Sequence, residues 1–290
     1  MENKKSWLNV KTIDIIDGIS LKIPAIGEIL ENEKSYYNLT SSLTTSPFTY
    51  MVQLDDMGID YTQIDDWQLF QMLFCSYSNQ ILAYTYKINE LNEKIKNNNI
   101  STIETINYKN QIKNLEQLIS DIGIDLVFKN FNMIGKKDEK LYGFEIFEEG
   151  SNNELILYNE ATGVKIDRLV YMDIADSIRK INLYEKCKHK PGNEHMKNYL
   201  LEKERKKQKR NAKKPYEPYL EQLVIALVNT QEFSYDYDSC MDLSIYRFNQ
   251  SFKQIQHKIN FNNTMFGVYS GTIDTSKMTN KDCLSWFKIK

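Results

Sequence analysis

Apolar residues recur every third or fourth position along most of the chain, and in short alternating or continuous runs along one central stretch. In IDYTQIDDWQLFQMLFCSYS an aspartate, Asp65, precedes Trp67, Leu69, Phe70, Leu73 and Phe74, so the spacing predicts a helix that begins at that aspartate. Two further stripes follow, Ile81 to Ile95 and Ile103 to Ile119, separated by NNNIS. They are narrow, with Asn, Lys and Glu on the other faces, and predict a helical hairpin over residues 79–120 that projects from a body. Ahead of them SLKI reads as extended, AIGEIL as a short helix, and NLTSSLTTSPF as a loop leading into a helix near Tyr50.

After Gly123 the period changes. DLVFKNFNMIG, KLYGFEIFEE and NELILYNEA are aromatic or β-branched runs separated by polar turns, and GVKID adds one strand more, which predicts a small antiparallel meander. Helical spacing returns from Tyr171, breaks at KHKPGNE, and resumes with Asn193 placed to cap a helix that runs towards Pro215. Only Met196, Tyr199, Leu200 and Leu201 are apolar there, so its last turns are expected to protrude or fray. YLEQLVIALV predicts a buried helix, DLSIYRFNQSFKQIQHKI another, and the tail is extended with Trp286 and Phe287 as late anchors. The class is therefore α+β: mainly α-helical with a small central antiparallel β meander. It divides into an N-terminal helical region at 1–122, a β insert at 123–168 and a C-terminal helical region at 169–290.

Charge changes this picture in one place. The 290 residues carry a net charge of −2, yet residues 186–214 hold twelve Lys and Arg against three Glu, a local +9, which leaves −11 for the rest. The densest part is KERKKQKRNAKK, where Lys203, Arg205, Lys206, Lys207, Lys209, Arg210, Lys213 and Lys214 stand against Glu204. Such a run is most often the solvated face of a helix. Next come a dock for an acidic protein and, third, a grip on phosphates, for which it lacks interleaved aromatics.

No chemistry of its own emerges from the remaining motifs. Cys187, His189 and His195 form C-x-H-x5-H without a fourth ligand and among lysines, which argues against zinc. Asp236, Asp238 and Asp242 fail the calcium-loop pattern, because Met241 and Arg247 stand where it needs Gly and Glu. Helix capping is the simpler reading of Asp65 and Asp242. GVYSGTID lacks the lysine of a phosphate loop. The expectation is a non-enzymatic protein with no cofactor and no metal. Four scattered cysteines without a CxxC read as reduced thiols. The first residues lack the apolar core of a secretory signal and no window is long enough for a membrane span, so a soluble protein is expected.

Two stretches carry a resemblance: MGIDYTQIDDWQLFQMLF at 57–74, and YLEQLVIALVNTQEF with DLSIYRFNQSFKQIQ at 219–233 and 242–256, followed by GVYSGTID and LSWF. They resemble uncharacterised tail-morphogenesis proteins, often labelled tail assembly chaperones, of tailed phages that infect Gram-positive bacteria. The resemblance implies a chaperone-like protein in the cytoplasm of the infected host. Its partner there would be a tail or tape-measure protein of helical form. It supplies no catalytic residues. Alternatives that stay open are a permanent subunit of the virion, a nucleic-acid binder and a protein aimed at a host defence factor, with self-association open in each. The partner-facing candidates are the eight basic residues above together with Trp67 and Phe70.

Overall fold

The computed structural model describes residues 6–96, 101–150, 154–187, 189, 191–279 and 281–287. Most of the NNNIS break and two lysines of the basic segment, Lys188 and Lys190, lie outside them. The chain is mainly helical with small antiparallel sheets.

After a 3-10 turn at Trp7–Asn9 comes a hairpin, β1 (Thr12–Ile16) and β2 (Ile19–Lys22), turned by Asp17-Gly18. Gly18 sits at φ +85° with a Cβ position only 2.9 Å from the Val164 side chain, so a larger residue would be both strained and crowded. Helices α1 (Ile26–Glu31), α2 (Glu33–Thr44) and α3 (Met51–Asp56) follow. The Ser/Thr-rich stretch read from sequence as a loop is thus mostly helix. Tyr36, Leu39, Thr40 and Leu43 put one face of α2 in the core, and the hydroxyls of Thr40 and Thr44 donate back to carbonyls one turn earlier.

The next helix, α4 (Asp66–Lys96), has 31 residues and so extends about 46 Å. Asp65 caps it as expected: its Oδ1 accepts from Gln68 N–H at 2.9 Å while Gln68 Oε1 accepts from Asp65 N–H at 3.0 Å. The first half of α4 lies in the core. Beyond Ile81 its one buried residue is Leu91, facing α5 (Thr102–Ser120), which itself buries none. The two helices pack as the hairpin foreseen in the sequence, with Ile103, Ile106 and Leu118 left exposed.

A turn of helix, α6 (Ile124–Val127), leads into three separate sheets where the sequence suggested one meander. β3 (Phe128–Lys129) joins β2 at the N-terminus; β4 (Gly135–Lys137) and β5 (Lys140–Tyr142) form a lone hairpin; β6 (Glu145–Glu149), β7 (Glu154–Tyr158) and β8 (Lys165–Ile166) make the meander proper. Asn159 ties the last two together. Wholly buried, its Nδ2 donates to the carbonyls of Met133 and Tyr142, both at 3.1 Å, and its Oδ1 accepts from the N–H groups of Ala161 and Thr162.

Asp167 caps α7 (Arg168–Asn182), whose Tyr171, Ile174, Ala175, Ile178 and Ile181 face inwards at helical spacing. Asn193 caps α8 (Glu194–Asn211), accepting from Met196 N–H at 2.8 Å. The chain ends with α9 (Tyr219–Val228), α10 (Tyr237–Met241), α11 (Ile245–Tyr269) and two short 3-10 turns. Ser244 caps α11 and Asp236 caps α10; Asp242, read from sequence as a cap, closes α10 at its C-terminal end instead.

One hydrophobic core runs from Ile19 to Ile255 and takes residues from every region. Its centre is an aromatic chain. Phe70 lies 4.7 Å from Tyr171 and 5.2 Å from Phe74, centroid to centroid, and Phe74 meets Phe144 edge-on at 5.2 Å. A smaller cluster of Met51, Val52, Leu54, Tyr61 and Leu69 sits beside it, under α8.

Candidate partner-binding surface

The basic helix is docked on one side only. Lys197, Leu200, Leu201, Glu204, Arg205 and Gln208 recur at three- and four-residue spacing and are half-buried. Leu200 and Leu201 pack on the smaller cluster beneath. Lys197 reaches Asp60 at 2.8 Å, and Arg205 reaches the carboxylates of both Asp55 and Asp56, the latter at 2.7 Å. The helix therefore does not fray where the apolar residues stop. Ion pairs to the end of α3 carry the docking on for another turn. The Lys197 hydrogen bond, helped by the N–H and hydroxyl of Thr62, holds the Asp60 carboxyl down at about 2.

The outer face carries what is left over. Met196, Tyr199, Lys203 and the adjacent pair Lys206 and Lys207, then Arg210, lie along one stripe at three- and four-residue spacing, all exposed. Lys206 and Lys207 make only loose contacts within the helix, to Glu202 at 3.7 Å and Glu204 at 3.4 Å, and their side chains stay 75% and 59% exposed. Lys209 projects beside the stripe, and Lys213 and Lys214 continue it past the helix end. The result is a stripe with an apolar head and a basic body.

The structure thus separates the sequence candidates. Lys203, Lys206, Lys207, Lys209, Arg210, Lys213 and Lys214 are brought to one exposed region. Arg205 is not among them, because the aspartates of α3 hold it. Phe70 is 2% exposed in the middle of the core and cannot meet a partner. Trp67, at 6%, packs against both Phe70 and Tyr171 and reaches no further than the floor of a cleft. The aromatic spacing that suggested a binding face was the signature of a core helix.

That cleft, about 550 Å³, lies between the N-terminal ends of α4 and α7 and the segment leading to α8. Phe48, Tyr61, Tyr171 and His189 line it, and the pairs Arg168 to Asp65 at 2.7 Å and Lys186 to Asp66 at 3.1 Å stand at its edge. Cys187 and His189 both border it, but among the described residues no three Cys, His, Asp or Glu side chains converge as metal ligands would. Burial raises the Cys75 thiol to about 11 and pushes the Cys240 thiol up as well, so both stay protonated at neutral pH. Among the described residues no helix is long and apolar enough to cross a membrane.

Sequence reasoning missed the contact that fixes the end of the basic segment. Glu33, 6% exposed, accepts from the N–H groups of Tyr219 at 2.7 Å and Leu220 at 3.0 Å. Pro218 stands at the N-cap of α9 and has no side chain to offer, so a carboxylate from far away in the sequence takes the capping role. A second clasp lies nearby: Ile26 N–H donates to Leu243 O and Ile245 N–H to Pro24 O, both at 2.9 Å. Residues 206–289 match the family model of the YomV second domain, a phage-derived family. The match begins within α8 and takes in α9, α10, α11 and the tail. No curated protein and no solved structure matches the chain.

Proposed function

We propose that this is a phage-encoded, non-enzymatic binding protein of tail assembly, which holds an elongated helical tail protein of the tape-measure kind against the outer face of α8. The one-sided docking of α8 carries this reading. A helix whose inner face is tied down by Lys197, Leu200, Leu201 and Arg205 holds the cations of its outer face in fixed register. A stripe of Lys203, Lys206, Lys207 and Arg210 meets the carboxylates of an acidic helix at matching intervals, while Met196 and Tyr199 add apolar area at one end. The phage setting draws on the domain family over 206–289, and the tail setting on the resemblance described above. On this reading the protein acts in the cytoplasm of the infected host.

Co-expression with the tail proteins of the same phage tests it, by pull-down with and without nuclease. A tail protein is expected to copurify, to survive nuclease, and to be lost when Lys203, Lys206, Lys207 and Arg210 are changed to Glu. Recovery of nucleic acid alone, falling steeply with salt, would replace the reading with phosphate binding. Mass spectrometry of purified virions separates an assembly factor, absent from the particle, from a permanent subunit.

A further inference from the structure

The β6–β7 hairpin is an unpartnered sheet element of opposite character to α8. Every residue of β6 is exposed, it forms the outer edge of its sheet, and Ile146, Phe147 and Leu155 are 39–45% exposed upon it. From residue 141 to 164 the chain has five glutamates and no Asp, Lys or Arg. Two of the five have partners in the fold, Glu149 with Lys165 and Glu160 with Lys137, which leaves Glu145, Glu148 and Glu154 without ion pairs among the described residues. The register sets Glu149 directly opposite Glu154, and of this like-charge pair Lys165 covers Glu149 alone. On α8, Lys203 to Lys207 and Lys206 to Arg210 are like-charge pairs four residues apart, with the same liability.

We propose that a second copy of this chain is the occupant of this edge, with the outer face of α8 of one copy laid against the β6–β7 hairpin of the next. The charges match in sign, and each surface carries exposed apolar area beside its charges: Met196 and Tyr199 on the helix, and on the hairpin Phe147, which the register sets on the same face as Glu145, Glu149 and Glu154. Within one chain no ion pair among the described residues joins the two segments, so neither satisfies the other internally. Edge-to-edge pairing of β6 with β6 is disfavoured, since it would set glutamates against glutamates. Because the two surfaces differ, each contact leaves one of each kind free. The assembly is therefore head-to-tail, closing into a ring or growing as a filament. The inference rests on the reading of α8 as a docking surface; a second copy and a tail protein use the same outer face, so each excludes the other there.

Analytical ultracentrifugation of the purified full-length chain tests it without other proteins, so its outcome is separate from that of the pull-down. At low salt the sedimentation coefficient is expected to rise with concentration, and at about 1 M salt, where the screening length falls to about 3 Å, the rise is expected to vanish. Lys206→Glu with Lys207→Glu and Arg210→Glu, or Glu145→Lys with Glu154→Lys, should each give a monomer with unchanged circular dichroism. An equimolar mixture of the two variants should associate again, because each then offers what the other lacks. A monomeric wild type at low salt, association that survives either reversal, or a mixture that stays monomeric would overturn the proposal.

Discussion

Two buried polar side chains hold distant segments together, and each makes a separate prediction. Glu33→Ala leaves the N–H groups of Tyr219 and Leu220 without their acceptor in a closed site. A loss of about 1–3 kcal/mol is expected in chemical denaturation, most of it recovered in Glu33→Gln, which still offers an oxygen. Asn159 is the stricter case, because it donates to two carbonyls and accepts from two N–H groups at once. Asn159→Asp keeps the acceptor but turns a second oxygen on Met133 O and Tyr142 O, so it should destabilise at least as much as Asn159→Ala. Equal stability of wild type and Asn159→Asp would contradict that account. Neither residue was recognisable from sequence: a glutamate in a helix and an asparagine after a strand look like surface residues until the chain brings their partners in. Asp65 and Asn193 were readable because the groups they cap lie three residues away.

Among the elements, α8 shows where periodicity is informative and where it is not. Its apolar count alone suggested loose last turns, since a hydrophobic stripe carries no trace of an ion pair contributed by another helix. The consequence is a sharp division of effects. Changing Lys203, Lys206, Lys207 or Arg210 singly to Gln should move the folding free energy by no more than about 0.5 kcal/mol, whereas Leu201→Ala, beneath the same helix, should speed hydrogen exchange throughout α8. Acid adds a further check. Asp60 titrates lower folded, at about 2, than unfolded, near the ordinary 3.8, so its pairing with Lys197 stabilises fully above about pH 4 and is lost as the pH falls towards 2. The stability gap between wild type and Asp60→Asn should therefore close over that interval. The β region divided differently from its sequence reading for a related reason. Strand character was visible in each run, but pairing was not, and β3 joins a hairpin over a hundred residues earlier because Ser20 and Leu21 lie across from Lys129 and Phe128. The Asp17-Gly18 turn was a local sign of that hairpin which the sequence reading passed over.

At the scale of the molecule, burial raises the phenols of Tyr36, Tyr37, Tyr171 and Tyr184, with Tyr171 pushed up to about 12. These groups stay protonated folded while they ionise unfolded, so their contribution is intact below about pH 10 and lost as the pH climbs past it. Urea midpoints should drop between pH 10 and 12, with a second rise in tyrosinate absorbance, beyond that of the exposed tyrosines, in step with unfolding. The mainly helical class was open to sequence reading because helix periods repeat within each segment; the single core was not, because nothing local records that Leu220 and Val224 share it with Ile26 and Tyr36. That sharing reaches beyond stability. A stretch that a family model delimits at residue 206 shares its core with residues before 45, and its first turn sits in the middle of a helix. Selection must therefore act on both parts together: recombination at that boundary would hand a phage two pieces with mismatched faces, and the segment can change partners only as fast as α1 and α2 change with it.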